Sequence, residues 1–238
     1  MLTVVTLLKR HHITPGEGDR PFWTTLGADY LARLATGVRV HGPDVTRLVC
    51  LTDSPDCMPL GVEALPLLRD DPAWWCKLQM FAPETGLAGR CLYLDLDNVV
   101  AGPLGGVAGV PLGEFAPLWM LDDVVIPRLA NGSTMVFDAD HARCRALWTA
   151  YVESPRYWQA RFSEWPHASD QAYVAHVMAR FGCPPRYLQD ALPPDTILNA
   201  RELEAGAPWD RAHLVFGGAT KKPHESQHAF YVQHWRAA

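Results

Sequence analysis

The 238-residue sequence has no long apolar segment, no excess of positive charge and no closely spaced pair of cysteines. Its apolar runs fall well short of the roughly 18 residues that a membrane-spanning helix needs, so no membrane span is expected. A formal net charge of −5 argues against a broad nucleic-acid-binding face. The six cysteines are scattered, and no C-x-x-C pair occurs. This usage favours reduced thiols and a cytoplasmic location.

Lysine is also scarce, because basic side chains are mostly arginine and the chain has only Lys9, Lys77, Lys221 and Lys222. The rest of the composition is ordinary for a globular enzyme, with 48% hydrophobic and 20% charged residues. No linker, internal repeat or low-complexity segment divides the sequence. We therefore expect residues 1–238 to form a single domain.

Apolar runs and helical patterns alternate along the chain, which predicts an α/β fold with a mostly parallel central sheet flanked by helices. Short apolar runs predict strands at 2–8, 47–52, 91–94, 134–137 and 214–216. Apolar side chains spaced three to five residues apart from Pro21 onward predict a first helix that ends at Gly37. Further helices are expected at about 73–82, 140–152 and 169–181.

Two acidic residues follow the clearest of these strands. The segment LYLDLDNVV (92–100) runs from an apolar strand into Asp95 and Asp97. Ligands gather at the carboxyl ends of strands in such sheets, and side chains two positions apart on a strand point to the same side. Both carboxylates can therefore bind one divalent cation together with substrate phosphates. Two solvated aspartates at a strand end are the plainer alternative.

A second D-x-D pair occurs at Asp138 and Asp140, again after a strand. Asp140 stands where a helix N-cap is expected, directly before His141, and Asp is a favoured capping residue. Capping is therefore the preferred interpretation of this pair.

Several segments together resemble the GT-A-fold glycosyltransferases, especially the glycogenin-like and lipopolysaccharide galactosyltransferase-like family. The segments occur in the family's order: VVTLL (4–8), WWCKLQMF (74–81), LYLDLDNVV (92–100), NGSTMVF (131–137), SDQAYV (169–174) and VFGGATKKPHE (215–225). The likeness covers most of the chain. It implies a Rossmann-like GT-A fold.

The resemblance also implies an activity, namely hexosyl transfer from a nucleotide-diphosphate sugar with retention of configuration. The acceptor, whether glycan, lipid or protein, is not indicated. The implied metal ligands for Mn²⁺ or Mg²⁺ are Asp95 and Asp97, and Asp170 and Gln171 would act on the donor sugar. The remaining implied donor-binding residues are Thr6, Lys77, Asn131, Ser133, Gly218 and Lys222.

One position departs from the family pattern. Family members commonly have a histidine about five residues before the Lys-Pro pair as a third metal ligand, and this chain has Gly217 there. A water molecule, His213 or His224 could take that place, or metal binding could be weaker.

Three of the implied roles have plain structural alternatives. Asp170 is favoured in a first helical turn by the helix dipole alone. Asn131 precedes a glycine, and Asn-Gly is a common turn dipeptide. Lys222 follows Gly217 and Gly218 in a loop suited to phosphate, although a solvated lysine would also be unremarkable there.

Two other functions remain open from the sequence. A nucleotide-sugar-binding domain with weak or no catalysis would explain the missing histidine. A phosphatase of the haloacid dehalogenase class also uses D-x-D after a strand, with the first Asp as nucleophile. That class needs a lysine followed by paired carboxylates, whereas Asp122 and Asp123 precede Lys221 and Lys222 here.

Overall fold

The computed structural model describes residues 1–9, 26–164, 169–217 and 222–236. The strands in these ranges are β1 (Leu2–Leu8), β2 (Val45–Thr52), β3 (Glu63–Pro66), β4 (Arg90–Leu94), β5 (Val99–Val100), β6 (Leu118–Asp122), β7 (Ala130–Asp138), β8 (Arg186–Tyr187), β9 (Ile197–Asn199) and β10 (Leu214–Phe216). The α-helices are α1 (Ala28–His41), α2 (Leu104–Ala108), α3 (Ala142–Glu153), α4 (Pro155–Arg161), α5 (Ser169–Arg180), α6 (Leu188–Ala191), α7 (Ala200–Glu204) and α8 (Ala229–His234). Short 3-10 helices lie at Pro55–Cys57, Ala73–Phe81 and Pro83–Thr85.

Seven strands form the main sheet, in the order β3-β2-β1-β4-β7-β6-β8. The pairs β2–β3, β1–β2, β1–β4 and β6–β8 are parallel, and only β4–β7 and β6–β7 are antiparallel. The predicted α/β architecture with a mostly parallel sheet is therefore confirmed.

Apolar side chains cover both faces of this sheet, because alternate residues of its central strands point to opposite sides. On one face, Val4 and Leu8 of β1 share a core with Leu31 of α1. On the other face, Val5 shares a second core with Phe137 of β7 and the side chains of α3 and α5. Burial on both faces explains why β1 is a continuous apolar run rather than an alternating one.

A smaller sheet has the order β5-β10-β9. Val215 of β10 pairs with Val99 of β5 in antiparallel register and with Leu198 of β9 in parallel register. β5 begins two residues after Asp97, and β10 ends directly before Gly217. This sheet therefore joins the chain after the D-x-D pair to the C-terminal part of the described chain.

The first helix differs from its prediction. Gly37 lies inside α1, which continues to His41, and it is buried against β5. A Cβ at Gly37 would lie 3.1 Å from Val100 Cβ and 3.2 Å from Val100 O. The glycine thus permits a close helix–strand approach instead of ending the helix. The predicted start of this helix, at Pro21, lies outside the described residues.

Two expectations from the composition concern membrane-spanning helices and the state of the cysteines. Among the helices in the described ranges, none has the length and apolar character needed to cross a bilayer. None of the six cysteines, all of which lie in the described ranges, forms a disulfide, and Cys57 is the only one of them that is not buried.

Candidate functional site

Asp95 and Asp97 follow β4 where it lies between β1 and β7. Tyr93 of β4 is in register with Val5 of β1, so the pair lies at the carboxyl end of these two parallel strands. Asn98 N donates to Asp95 O at 3.0 Å and closes a turn. The two aspartates therefore lie in a turn and not on an extended strand. The alternation of side-chain directions along a strand consequently does not determine where their carboxylates point.

The beginning of β7 holds this turn in place. Ser133 O accepts hydrogen bonds from Asp95 N at 2.9 Å and from Asn98 Nδ2 at 2.8 Å. Asn98 Nδ2 also donates to Thr134 Oγ1, at 3.0 Å. Asn98 is only 1% exposed. The sequence interpretation assigned it no role, although its place directly after the D-x-D pair was a usable signal.

Lys77 projects from the 3-10 helix to Asp95. Its Nζ lies 2.7 Å from Asp95 Oδ1, and the lysine side chain is 7% exposed. The Tyr93 hydroxyl donates to the same carboxylate oxygen at 2.7 Å. Two residues before Lys77, the Trp75 ring stacks on Tyr151 of α3 with ring centroids 5.5 Å apart. The short helix is therefore anchored in the core while its lysine reaches the turn.

The charges around Lys77 are strongly coupled. Burial acts to lower the pKa of Lys77, but the carboxylates of Asp95, Asp170 and Asp97 outweigh that effect and raise it. Lys77 is therefore a permanently charged ammonium among three acidic groups. One ammonium among three acidic groups leaves a net negative charge, which favours a cation.

Asp170 and Gln171 begin α5, which packs against β7 at Gly132. Gln171 Oε1 accepts a hydrogen bond from Gly132 N at 3.1 Å, and a Cβ at Gly132 would lie 3.6 Å from Asp170 Oδ2. Asp170 is 2% exposed, and burial raises its pKa to about 6, although Lys77 opposes the shift. Ser169 has a φ of 79°, a strained value of the kind found at functional sites.

Lys222 reaches Asp97 from the C-terminal side of the chain. Its Nζ forms an ion pair with Asp97 Oδ2, and both side chains are buried. Lys222 N donates to Glu225 Oε2 at 2.9 Å, which fixes the local turn. A Cβ at Gly217 would overlap the Asp97 carboxylate, at 2.5 Å from its Cγ. The Asp97 carboxylate thus lies between the backbone of Gly217 and the ammonium group of Lys222.

The other predicted donor-binding residues are placed as follows. Asn131 Oδ1 accepts from Ser133 N at 2.9 Å, and its Nδ2 donates to Asp123 Oδ2 at 3.0 Å, so its side chain shapes the start of β7. Thr6 is buried in β1, and its hydroxyl has no hydrogen-bond partner within the described part of the chain. Gly218 lies outside the described residues.

The second D-x-D pair lies at the opposite end of β4, because Asp138 is in register with Arg90. Asp140 Oδ2 accepts from Gly89 N at 2.7 Å, and its Oδ1 pairs with Arg145 at 2.7 Å. The predicted capping role of Asp140 is wrong, since His141 is the N-cap of α3 and accepts from Arg143 N. Asp140 instead holds the loop before β4.

The candidate ligands for a divalent cation are the carboxylates of Asp95 and Asp97. Within the described ranges, no group of three His, Cys, Asp or Glu side chains is placed to hold a metal ion. His213 packs on Gly102, and His224 bonds to Tyr30, so neither replaces the missing third ligand.

One oxygen on each carboxylate remains for a cation. The hydrogen bonds and ion pairs of the described residues use Asp95 Oδ1 and Asp97 Oδ2, which leaves Asp95 Oδ2 and Asp97 Oδ1. Mg²⁺ is commonly held by one or two carboxylates together with substrate phosphates and water. The two free oxygens suit that kind of site.

Glycosyltransferases are among the solved structures that this chain resembles. The galactosyltransferase LgtC, solved with donor and acceptor sugar analogues, matches with a TM-score of 0.59 at 11% identity over 97% of this chain and 94% of its own. GlyE of Streptococcus pneumoniae matches with a TM-score of 0.57 at 11% identity over 99% of this chain and 61% of its own. The chain has the GT-A fold.

These likenesses concern the fold alone, because the sequence identity is low. The bifunctional glycosyltransferase WbbM also matches with a TM-score of 0.59 at 11% identity, over 93% of this chain and 46% of its own. No protein-family model matches the chain, and no curated protein matches it in sequence. The structural neighbours confirm the GT-A fold, and they do not favour the phosphatase alternative.

Proposed function

We propose that this GT-A protein transfers a hexose from a nucleotide-diphosphate sugar to an acceptor hydroxyl. The observation that carries the proposal is the charged cluster at the carboxyl end of β1 and β4. There Asp95 and Asp97 meet the buried ammonium groups of Lys77 and Lys222. A diphosphate needs positive charge on its oxygens, which the two ammonium groups and a cation held by the carboxylates would supply.

The diphosphate lies, in this proposal, between the two lysines. Glu225 fixes the turn that carries Lys222, and the stacking of Trp75 anchors the 3-10 helix that carries Lys77. Both ammonium groups are therefore held in position. Gly218 would let the loop backbone approach the phosphates. The nucleotide base lies toward the end of β1, where Thr6 has a buried hydroxyl available for hydrogen bonding.

The donor sugar lies against the start of α5 and β7. Asp170 and Gln171 bind its hydroxyl groups, since a carboxylate accepts hydrogen bonds while an amide both donates and accepts. Gln171 already accepts from Gly132 N, which orients its amide. Asn131 and Ser133 complete this wall of the sugar site.

A divalent cation, Mn²⁺ or Mg²⁺, is held in this proposal by Asp95 and Asp97 through their remaining carboxylate oxygens. When bound, such an ion offsets negative charge on the diphosphate leaving group. Tyr93, Lys77 and Asn98 keep the two carboxylates in position by the hydrogen bonds and the ion pair described above.

In the transfer step, the bond between the sugar's anomeric carbon and the phosphate oxygen breaks. A new bond forms between that carbon and the acceptor oxygen, and the hydroxyl proton leaves with the departing diphosphate. We propose retention of configuration, with attack on the face that the diphosphate leaves. Six cysteines that form no disulfide support a reducing, cytoplasmic setting for this activity.

The test uses a panel of nucleotide sugars with Mn²⁺. A donor that binds only the folded protein raises its melting temperature, and the same donor should then release nucleoside diphosphate over time. Asp97→Asn should lower the release rate at least ten-fold. Asp140→Asn, in the D-x-D pair at the opposite end of β4, is the matched control and should retain the wild-type rate.

Two results would contradict the proposal. One is a panel in which no nucleotide sugar raises the melting temperature. The other is a wild-type release rate in Asp97→Asn, because the site would then lie elsewhere.

A second candidate function is nucleotide-sugar binding without turnover. It is favoured by Gly217, which provides no third metal ligand, and by the lysines that already pair with both aspartates. This function predicts thermal stabilisation by a donor with no release of nucleoside diphosphate under any metal condition.

A further inference from the structure

The Lys222–Asp97 ion pair joins two residues that are 125 positions apart in the sequence. Both are buried, with 7% exposure for Lys222 and 8% for Asp97. An ion pair this far from water is weakly screened by salt. Removing the lysine from such a pair is costly, because it leaves the Asp97 carboxylate buried without its cation.

The surroundings of Asp97 limit what else can contact its carboxylate. Gly217 lies so close that a side chain at that position would overlap it. Oδ2 is engaged by Lys222, which leaves Oδ1 for any further partner. A cation at Asp97 would consequently be held by few oxygens and would lie near an ammonium group.

The charges of Asp97 and Lys222 therefore disfavour a cation that binds alone and favour a cation that binds together with a diphosphate. A divalent ion alone is repelled by the Lys222 ammonium, and it competes with that ammonium for the Asp97 carboxylate. A diphosphate removes both obstacles, because it accepts the lysine and adds negative oxygens around the cation.

We propose that the Lys222–Asp97 ion pair makes cation binding conditional on the donor. In the free protein, Lys222 holds Asp97 Oδ2 and keeps divalent ions away. When a diphosphate enters, the Lys222 ammonium moves to it, and the Asp97 carboxylate becomes available to the cation. This inference rests on the proposed function, since the diphosphate belongs to the proposed donor.

The first experiment measures binding of Mn²⁺ alone, from the loss of the free-ion electron paramagnetic resonance signal. Lys222→Met should bind Mn²⁺ at least ten-fold more tightly than the wild type. Arg145→Met is the matched control and should behave as the wild type, because it removes the cation from Asp140 at the other end of β4. The double variant Lys222→Met, Asp97→Asn should lose the gain. Equal Mn²⁺ affinity in Lys222→Met and the wild type overturns the proposal.

The reciprocal experiment tests the lysine and does not depend on the folding of Lys222→Met. Asp97→Asn removes the carboxylate that competes for Lys222. In EDTA, this variant should bind inorganic pyrophosphate at least five-fold more tightly than the wild type in calorimetry. Pyrophosphate is used because it carries no base or sugar. Weaker or equal binding overturns the proposal.

The two proposals fail in different ways. If no nucleotide sugar is bound or consumed while both affinity changes occur, the proposed function fails and the ion-pair exchange stands. If a donor is consumed while neither affinity changes, the exchange fails and the proposed function stands.

Discussion

Lys77 and Asp95 form a partly buried ion pair in which the lysine Nζ lies 2.7 Å from the carboxylate Oδ1. The Tyr93 hydroxyl donates to the same oxygen at 2.7 Å. One carboxylate oxygen therefore fixes three elements at once, namely the 3-10 helix, β4 and the turn that follows it. The geometry of the site consequently depends on stable charge pairing as well as on apolar packing.

Replacing this lysine should destabilise the protein. Lys77→Met leaves the Asp95 and Asp170 carboxylates without their cation, and we expect the free energy of unfolding to fall by roughly 3–5 kcal/mol. Urea denaturation measures the change. Arg47→Met, which breaks the more exposed pair with Glu63, should lower that energy by no more than about 1 kcal/mol. Similar effects of the two variants would show that Lys77 is not held as described.

A methyl group at Gly217 should displace the Asp97 carboxylate. Gly217→Ala places a Cβ 2.5 Å from the present position of Asp97 Cγ, so the ion pair with Lys222 must shift. We expect at least a ten-fold loss of donor affinity in calorimetry. Gly113→Ala is the control, since a Cβ there meets nothing within 4 Å. Wild-type affinity in Gly217→Ala would contradict the close approach.

Asn98 should position the D-x-D turn. Asn98→Ala removes two hydrogen bonds to β7, and we expect a loss of roughly 1–3 kcal/mol in stability together with a ten-fold or larger fall in donor turnover. Asn199→Ala removes the N-cap of α7 and should cost a similar stability, roughly 0.5–2 kcal/mol. It should leave turnover unchanged. An equal loss of turnover in both variants would indicate a general effect of instability.

Asp170 should make stability depend on pH. Burial raises the pKa of its carboxyl group to about 6, above its ordinary value, so the folded state binds its proton more tightly than the unfolded state does. The contribution of Asp170 to stability therefore falls as the pH rises from about 4 to 6, and it stays unfavourable above that range. The two-unit difference corresponds to roughly 3 kcal/mol at most.

Asp170→Asn should remove this dependence. We expect the variant to be more stable than the wild type at pH 8 and similar to it near pH 4, in urea denaturation at both values. Asp190→Asn, at an exposed position, should change stability by less than about 0.5 kcal/mol. Equal stability of Asp170→Asn and the wild type at pH 8 would contradict the burial of an ionised carboxylate.

The sequence predicted the elements with strong patterns. The apolar runs of β1, β2, β4 and β7 and the periodicity of α3 and α5 predicted most of the main sheet and its helices. The elements β3, β6 and α4 were missed. Gly37 was misinterpreted as the end of the helix. The position needs a glycine because β5, which is distant in sequence, approaches the helix closely there.

The candidate site was predictable only as separate parts. Asp95, Lys77, Asp170 and Lys222 were chosen from local motifs and a family resemblance, and the structure brings them together, while their roles stay predictions. Their pairing could not be derived, because Lys222 and Asp97 are far apart in sequence. The turn at Asn98 was also missed, since the aspartates were expected on an extended strand.

The small sheet sets a condition on biosynthesis. The pairing of β5 with β10 brings the segment after Asp97 next to the segment before Gly217. When Asp97 leaves the ribosome, β10 and Lys222 have yet to be translated. Asp97 therefore lacks Lys222 while the next 125 residues, more than half of the chain, are translated. The nascent chain can assemble β1, β2 and β4 early, whereas the ion pair of Asp97 forms only after translation has passed Lys222.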